Sequence, residues 1–375
     1  MAIQTVLILT AGFGDGHNSA ARNIAEALTR ESGGAVRPVV ADLFEDAAPV
    51  TGAGYKWLYR QMSNYFPMVW AWFFNRTAEG NFESVWWDRF VGIRRALEKR
   101  LKENRPEVLM LTYPIYPYFL PDLPPRTPKP GAVFMAVTDS ITIHPLWLKG
   151  KVDRLFVTDE FSREVAAAGV VPREKIEVSG FPVAPVFAEF PPRQTLAPEH
   201  GLRVLYFATT AKPHVRATLE GLLPNLPPGS RMTVVMGRHE KRLSVDIERI
   251  RQAFPQVSVS LTGWTGEVPE LLRTHDVVIS KAGGATVHEC FAAAVPMLVN
   301  YVIPGQEEGN VELLERLGCG CRALEPGETG PLLAALVADG RFAAMQAAMI
   351  RHRRPDGALR VARKILQELQ CIEIS

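Results

Sequence analysis

"TVLILTAGFGDGHNSAARNIAEAL", residues 5–28, begins as an apolar run, breaks on Gly12, Gly14 and Gly16, and resumes as a helix-forming sequence from about Asn18 to Arg30. A short β-branched and aliphatic run reads as a buried strand, and the glycines let the following turn bring its backbone close to a ligand. Strand, glycine turn and helix in that order is the repeating unit of a parallel α/β sheet. A turn of this kind often cradles phosphate. This one runs straight into His17, a residue suited to proton transfer near neutral pH.

The same unit recurs outward from this stretch. "AVRPVVAD", "EVLMLTYP", "AVFMAVTD", "RLFVTD" and "KIEVSGFP" read as further strands. Pro38 favours an edge strand or the first residues of a strand, because proline has no N–H for the ladder. A proline-rich stretch, residues 180–201, interrupts the alternation and reads as a linker. The alternation restarts with "LRVLYFAT", "RMTVVMG", "QVSVSLTG", "DVVISKAGG" and "VPMLVNY", and closes on an amphipathic helical segment, "PDGALRVARKILQELQ". The expected organisation is an N-terminal domain over 1–182, a linker over 183–201 and a C-terminal domain over 202–354. The last helix, within 355–375, is expected to pack back on the first domain.

Composition narrows the classes of function. The chain has 375 residues, 47% apolar and 22% charged, enough for two sizeable cores. A net charge of +2 gives no global attraction to nucleic acid. Four cysteines, two of them in Cys319-x-Cys321, offer neither a disulfide framework nor zinc spacing, so no metal site is expected. The first apolar run has no basic leader and is too short for a signal sequence, and no stretch is long enough to span a bilayer.

In parallel sheets ligands bind beyond the C-terminal strand ends. That rule selects the loops over 10–17, 138–144, 208–214, 237–239, 262–266, 280–289 and 301–310. In "SKAGGATVHEC", Ser280–Cys290, the glycines Gly283 and Gly284 permit close approach, Ala285 leads into a helix starting near Thr286, and Glu289 follows one turn in. A helix N-terminus there suits a diphosphate, and the Glu289 carboxylate suits the two hydroxyls of a ribose. An ordinary cap is the plainer alternative. In "NYVIPGQEEGN", Pro304 and Gly305 make a turn, and Gln306, Glu307 and Glu308 crowd together before Gly309 and Asn310 as polar acceptors suited to a sugar, an exposed acidic turn being the alternative.

The stretch "GWTGEVPELLRTHDVVISKAGGATVHECFAAAVPMLVNYVIPGQEEGNVELLERLGCG", with "LTAGFGDGHNSAARNIAEAL", "VTDSITIHPLWLKGKVDRLFVTDEFSREVAAAGV" and "VSGFPVAPVF", resembles the monogalactosyldiacylglycerol synthase and processive diacylglycerol glucosyltransferase family. These enzymes are related to the one that adds N-acetylglucosamine to the peptidoglycan lipid precursor. The resemblance implies a GT-B fold: α/β, two Rossmann-like domains with parallel sheets facing a central cleft, lipid acceptor in the first and UDP-sugar in the second. It implies that Glu289 binds ribose, that Gly283 to Thr286 hold diphosphate and that Gln306 and Glu307 hold the sugar hydroxyls, with Ser280, Pro304, Gly305 and Asn310 also in the donor site. Gly263, Trp264 and Thr265 would meet uracil, while Gly14 and Gly16 would approach the sugar and leaving group. Two departures stand out: relatives often carry glycine, proline, glycine before the threonine of the "GGAT" stretch, and three consecutive glycines where Phe13 and Asp15 are interleaved here.

Inverting transfer needs one general base near the acceptor hydroxyl. His17 is the first choice, with Asp15 close enough in sequence to orient it. Asp139 is the runner-up, as base or as orienting partner, with His144 nearby. His214 and His239 are weaker contacts to phosphate or sugar. The expected donor is UDP-glucose or UDP-galactose and the expected acceptor diacylglycerol, with no cofactor.

Residues 55–90 hold 13 aromatic residues in 36, including five of the seven tryptophans. Such rings favour the lipid–water interface, and Trp57, Tyr65, Phe66, Trp70, Trp72, Phe73, Trp86 and Trp87 are the expected membrane contacts. The next segment, residues 89–105, carries seven basic and two acidic residues, with Arg94 and Arg95 directed to anionic headgroups. A solvated helix packing through Ile93, Leu97 and Leu101 is the alternative. These features predict a cytoplasmic protein bound peripherally to the inner membrane face. Three rivals share the residues: transfer to another lipophilic alcohol, a non-catalytic UDP-sugar-binding regulator, and a sugar epimerase.

Overall fold

The computed structural model describes residues 3–47, 90–191, 193, 201–238 and 240–374. The chain divides into two compact units, one formed by residues 1–185 with 356–375 and the other by residues 186–355. The boundary at Pro185 falls inside the stretch read as a linker, of which residues 194–200 lie outside the described ones.

In the first unit, β1 (Gln4–Thr10) leads to α1 (Asp15–Glu31), β2 (Val36–Asp42) and α2 (Leu43–Ala47). Then come α3 (Val91–Asn104), β3 (Val108–Leu111), β4 (Ala132–Ala136), α4 (Pro145–Lys149), β5 (Arg154–Val157), α5 (Glu160–Ala168) and β6 (Ile176–Val178). The six strands are all parallel in the order β2-β1-β3-β4-β5-β6. Pro38 does lie on an edge strand, beside Val6. The order reverses direction at β1 and β3, the switch point where a doubly wound sheet opens a crevice.

The last helix, α13 (Gly357–Ile374), belongs to this unit. Ala358, Val361, Ala362, Ile365 and Leu369 recur at helical spacing and join a core with Ala21, Ile24, Ala27 and Leu28 of α1. Arg363 clamps Glu31 through two bonds of 2.8 and 3.0 Å. The chain can enter this helix only through a glycine, since a Cβ on Gly357 would stand 2.0 Å from the Phe181 carbonyl oxygen.

In the second unit, β7 (Arg203–Phe207), α6 (Lys212–Leu222), β8 (Arg231–Gly237), α7 (Glu240–Ala253), β9 (Ser258–Gly263), α8 (Val268–Thr274) and β10 (Val277–Lys281) repeat the alternation. They are followed by α9 (Gly284–Ala293), β11 (Met297–Tyr301), α10 (Glu308–Arg316), β12 (Gly320–Arg322), α11 (Thr329–Ala338) and α12 (Arg341–Arg351). The order is β12-β11-β10-β7-β8-β9, again all parallel, with the switch point at β7 and β10. Among the described residues no single helix is long and apolar enough to cross a membrane.

Both glycine turns are shorter than the sequence suggests. Helix α1 starts at Asp15 and α9 at Gly284, so His17 and Thr286 lie in first helical turns. Asp15 explains the first shift: an exposed carboxylate in a first turn complements the helix dipole.

Ile365 is fully buried. Ile365→Ala is expected to cost the first unit about 2–5 kcal/mol, read as an earlier urea transition of that unit. An unchanged midpoint would mean that α13 is not part of its core.

Candidate active site

At the first switch point the turn after β1 is pinned from three sides. Asp42 accepts from the Gly12 amide (2.9 Å) and from that of Phe44 (3.0 Å). Tyr116 donates to the Thr10 carbonyl at 2.6 Å, and Thr112, just past β3, donates to the His17 carbonyl at 3.2 Å. Phe13 meets Phe44 edge-on at 4.7 Å and stacks on Tyr113 at 5.6 Å. The residue that interrupts the glycine run is therefore a packing residue.

His17 stands against this wall. Its Nδ1 lies 3.1 Å from Thr138 Oγ1, and its ring also bonds the Thr112 backbone. Tyr113 meets the imidazole edge-on at 5.1 Å and Trp147 lies over it at 5.9 Å. Desolvation dominates and lowers its pKa from 6.5 to about 4, against a smaller upward pull from the Thr112 backbone. The ring is thus neutral at physiological pH, the form that accepts a proton.

Asp139 comes to the same place in another role. Its Oδ2 accepts from Trp147 Nε1 at 2.7 Å, so it fixes the indole that covers His17. His144 caps α4, its Nδ1 accepting from the Leu146 amide at 3.2 Å. The partners that hold the His17 ring, Thr112, Tyr113, Thr138 and Trp147, were not singled out by sequence. Each lies at or just beyond the end of β3 or β4, or on the short helix after it.

At the second switch point two loops are cross-braced. Helix α9 opens without a side-chain cap, leaving the first-turn amides of Gly284, Ala285 and Thr286 without helical acceptors. Lys281 pairs with Glu307, and Asn310 donates to the Ala282 carbonyl at 2.9 Å. Gly283 makes room for that ion pair, since a Cβ there would lie 3.2 Å from Lys281 Nζ. The turn after β11 needs Gly305 in the left-handed region, at φ +81°. Glu307 closes it, accepting from the Ile303 amide at 3.0 Å.

Both Glu307 oxygens are therefore engaged by the protein, and this carboxylate braces the loop. Gln306 beside it is half-buried and Pro304 likewise. Glu289 is half-buried on α9, and desolvation pushes its carboxyl up to about 7. Ser280 is buried at the end of β10. Gly263 ends β9, Thr265 accepts from the Glu267 amide at 3.0 Å, and Trp264 stands 67% exposed, an apolar ring open to a planar ligand. His214 packs edge-on against Tyr301 at 5.3 Å, with its pKa lowered by burial. His239 lies outside the described residues.

So do Trp57, Tyr65, Phe66, Trp70, Trp72, Phe73, Trp86 and Trp87. The adjoining helix α3 is described: Ile93, Leu97 and Leu101 are buried in the core. Arg95 is exposed and Arg94 half-buried. Arg100 is held by Asp46 through two bonds of 2.7 Å and Lys102 by Glu98, so part of the basic character is neutralised within the protein.

Each unit is built on a six-stranded, all-parallel sheet with a candidate site at its switch point, the α/β architecture of the GT-B fold. The profile of the monogalactosyldiacylglycerol (MGDG) synthase family matches residues 17–183. A processive diacylglycerol beta-glucosyltransferase of Bacillus thuringiensis is 26% identical over 97% of this chain and 93% of its own. Among solved structures, MurG of Acinetobacter baumannii superposes with a TM-score of 0.63 at 13% identity, covering 97% of this chain and 99% of that one. The UDP-GlcNAc 2-epimerase of Neisseria meningitidis does so with 0.60 at 11% identity, over 97% and 100%. The chain is thus similar to processive diacylglycerol beta-glucosyltransferases along nearly its whole length.

Proposed function

We propose that the protein transfers a hexose, glucose or galactose, from a UDP-sugar to diacylglycerol with inversion at the anomeric carbon. The observation that carries this reading is the neutral, desolvated imidazole of His17 at the switch point of the first unit. The full-length similarity to diacylglycerol glucosyltransferases supplies the acceptor class and supports a transferase over an epimerase.

In this reading His17 takes the proton of the acceptor hydroxyl as that oxygen attacks the anomeric carbon. The bond from that carbon to the diphosphate breaks on the opposite face, and UDP departs with the electron pair. The open amides at the start of α9 stabilise the departing charge, the role of a preorganised donor set. We assign no metal to this step. Glu289 holds the ribose, Gln306 the sugar hydroxyls, and the turn at Trp264 the uracil. Glu307, Lys281 and Asn310 keep the sugar and diphosphate loops in register. The aromatic stretch over 55–90 and the exposed Arg95 seat the protein on the cytoplasmic face of an anionic membrane.

One assay tests the whole statement. Labelled UDP-glucose or UDP-galactose is incubated with diacylglycerol in vesicles, with and without anionic lipid, in EDTA. The expected product is β-linked glycosyldiacylglycerol, formed faster on anionic vesicles and more slowly at high salt. Absence of a labelled lipid contradicts the transfer, an α-linkage the inversion, equal rates on all vesicles the membrane role, and loss of activity in EDTA the metal-free step.

Glu289 gives a pH signature. Its pKa in the unliganded protein is raised, and the ribose bond favours the charged form, so UDP-hexose affinity should fall as pH drops through about 7. Glu289→Gln is expected to bind about tenfold or more weakly, the scale of one charged hydrogen bond, and to lose that pH dependence. Wild-type affinity in this variant would remove Glu289 from the donor site.

A further inference from the structure

Among the described residues, three other than glycine adopt positive φ: Arg105, Ala294 and Ile141. Arg105 and Ala294 are left-handed caps at the ends of α3 and α9, a common helix terminus. Ile141, at φ +57°, ends no helix. A β-branched residue is strained there, and the conformation persists only where its surroundings over-determine it.

Those surroundings are a buried chain of hydroxyls ending on one carboxylate. The Ile141 amide donates to Ser162 Oγ at 2.9 Å, and Ser162 donates to Asp159 Oδ2 at 2.7 Å. Thr158 donates to the same oxygen at 2.7 Å, and Ser140 Oγ lies 3.0 Å from Thr158 Oγ1. Asp159 Oδ1 accepts from the Ser162 amide at 2.8 Å, capping α5. Ser140, Thr158, Asp159 and Ser162 are all buried. In front of them the turn is drawn tight by bonds from the Thr142 amide to the Ser140 carbonyl (2.6 Å) and from the Ile143 amide to the Ile141 carbonyl (3.0 Å).

None of these groups is among the described partners of the His17 ring, yet both arms of the turn reach it. Thr138, before the turn, bonds Nδ1, and Trp147, after it, covers the imidazole and is held by Asp139. We propose that Ser162 is a positioning residue: by holding Ile141 in its left-handed conformation it keeps Thr138 and Trp147 against His17 and so fixes the imidazole for proton transfer. The catalytic half of this statement rests on reading His17 as the base.

The test uses the full-length chain with Ser162→Ala, Ile141→Gly and the double variant. Turnover, KM for the UDP-hexose and the titration of the His17 ring by NMR are measured for each. Ser162→Ala should lower kcat about tenfold to a hundredfold, the range for a misplaced catalytic group, with KM little changed and the His17 titration moved up toward 6.5. Glycine adopts the left-handed conformation without help, so the double variant should recover most of kcat and the depressed titration. Ser140→Ala, which leaves the Asp159 cap of α5 intact, should move both readouts the same way to a smaller extent, should Ser162→Ala fold poorly. Wild-type kcat and titration in Ser162→Ala, or a double variant no better than the single one, would overturn the proposal. A shifted titration with unchanged kcat would leave the grip on the ring standing and refute His17 as the base.

Discussion

Desolvation of one imidazole is the constraint that organises the first unit. A histidine on a helix end exposed to water would be partly protonated near neutrality and useless as a proton acceptor in that fraction. Here the ring is enclosed by Tyr113 and Trp147, bonded by Thr138 and the Thr112 backbone, and lowered to about 4. Every element around it serves that enclosure. The pinned glycine turn sets where α1 begins, Phe13 and Phe44 back Tyr113, and Asp139 anchors Trp147. A pKa of about 4 makes the ring a weaker base than the near-neutral one expected of a histidine general base.

The second unit follows a different logic. At its switch point an uncapped helix start lies beside a braced turn. The Lys281–Glu307 pair joins the two loops where Gly283 leaves space, and Asn310 ties α10 to the end of β10. In the proposed reading, donor contacts would be fixed by backbone and bracing, and a diphosphate would be met by dipoles and amides rather than by one reactive side chain.

Much of this was legible in the sequence, for identifiable reasons. Buried parallel strands are continuous apolar runs, so β1, β3 to β5 and β10 announce themselves, and Pro38 marks an edge because of its missing N–H. The three-residue strand β12, Gly320–Arg322, is too short for any periodicity and was not anticipated. Helix starts were placed two or three residues late because glycine and aspartate read as turn residues, although both serve in a first turn. The candidate site residues His17 and Glu289 stand out by type and spacing. Their supports do not: Thr138, Trp147 and Lys281 act through three-dimensional neighbours. Likewise, a sequence shows that Glu307 is an acceptor but not that the protein already occupies it.

The central claim is that His17 performs the proton transfer without contributing to donor affinity. Turnover and UDP-hexose binding measured side by side on His17→Ala test it most directly. The account predicts that transfer to diacylglycerol is abolished while the dissociation constant for the donor stays at its wild-type value. Near-normal turnover in that variant would contradict it.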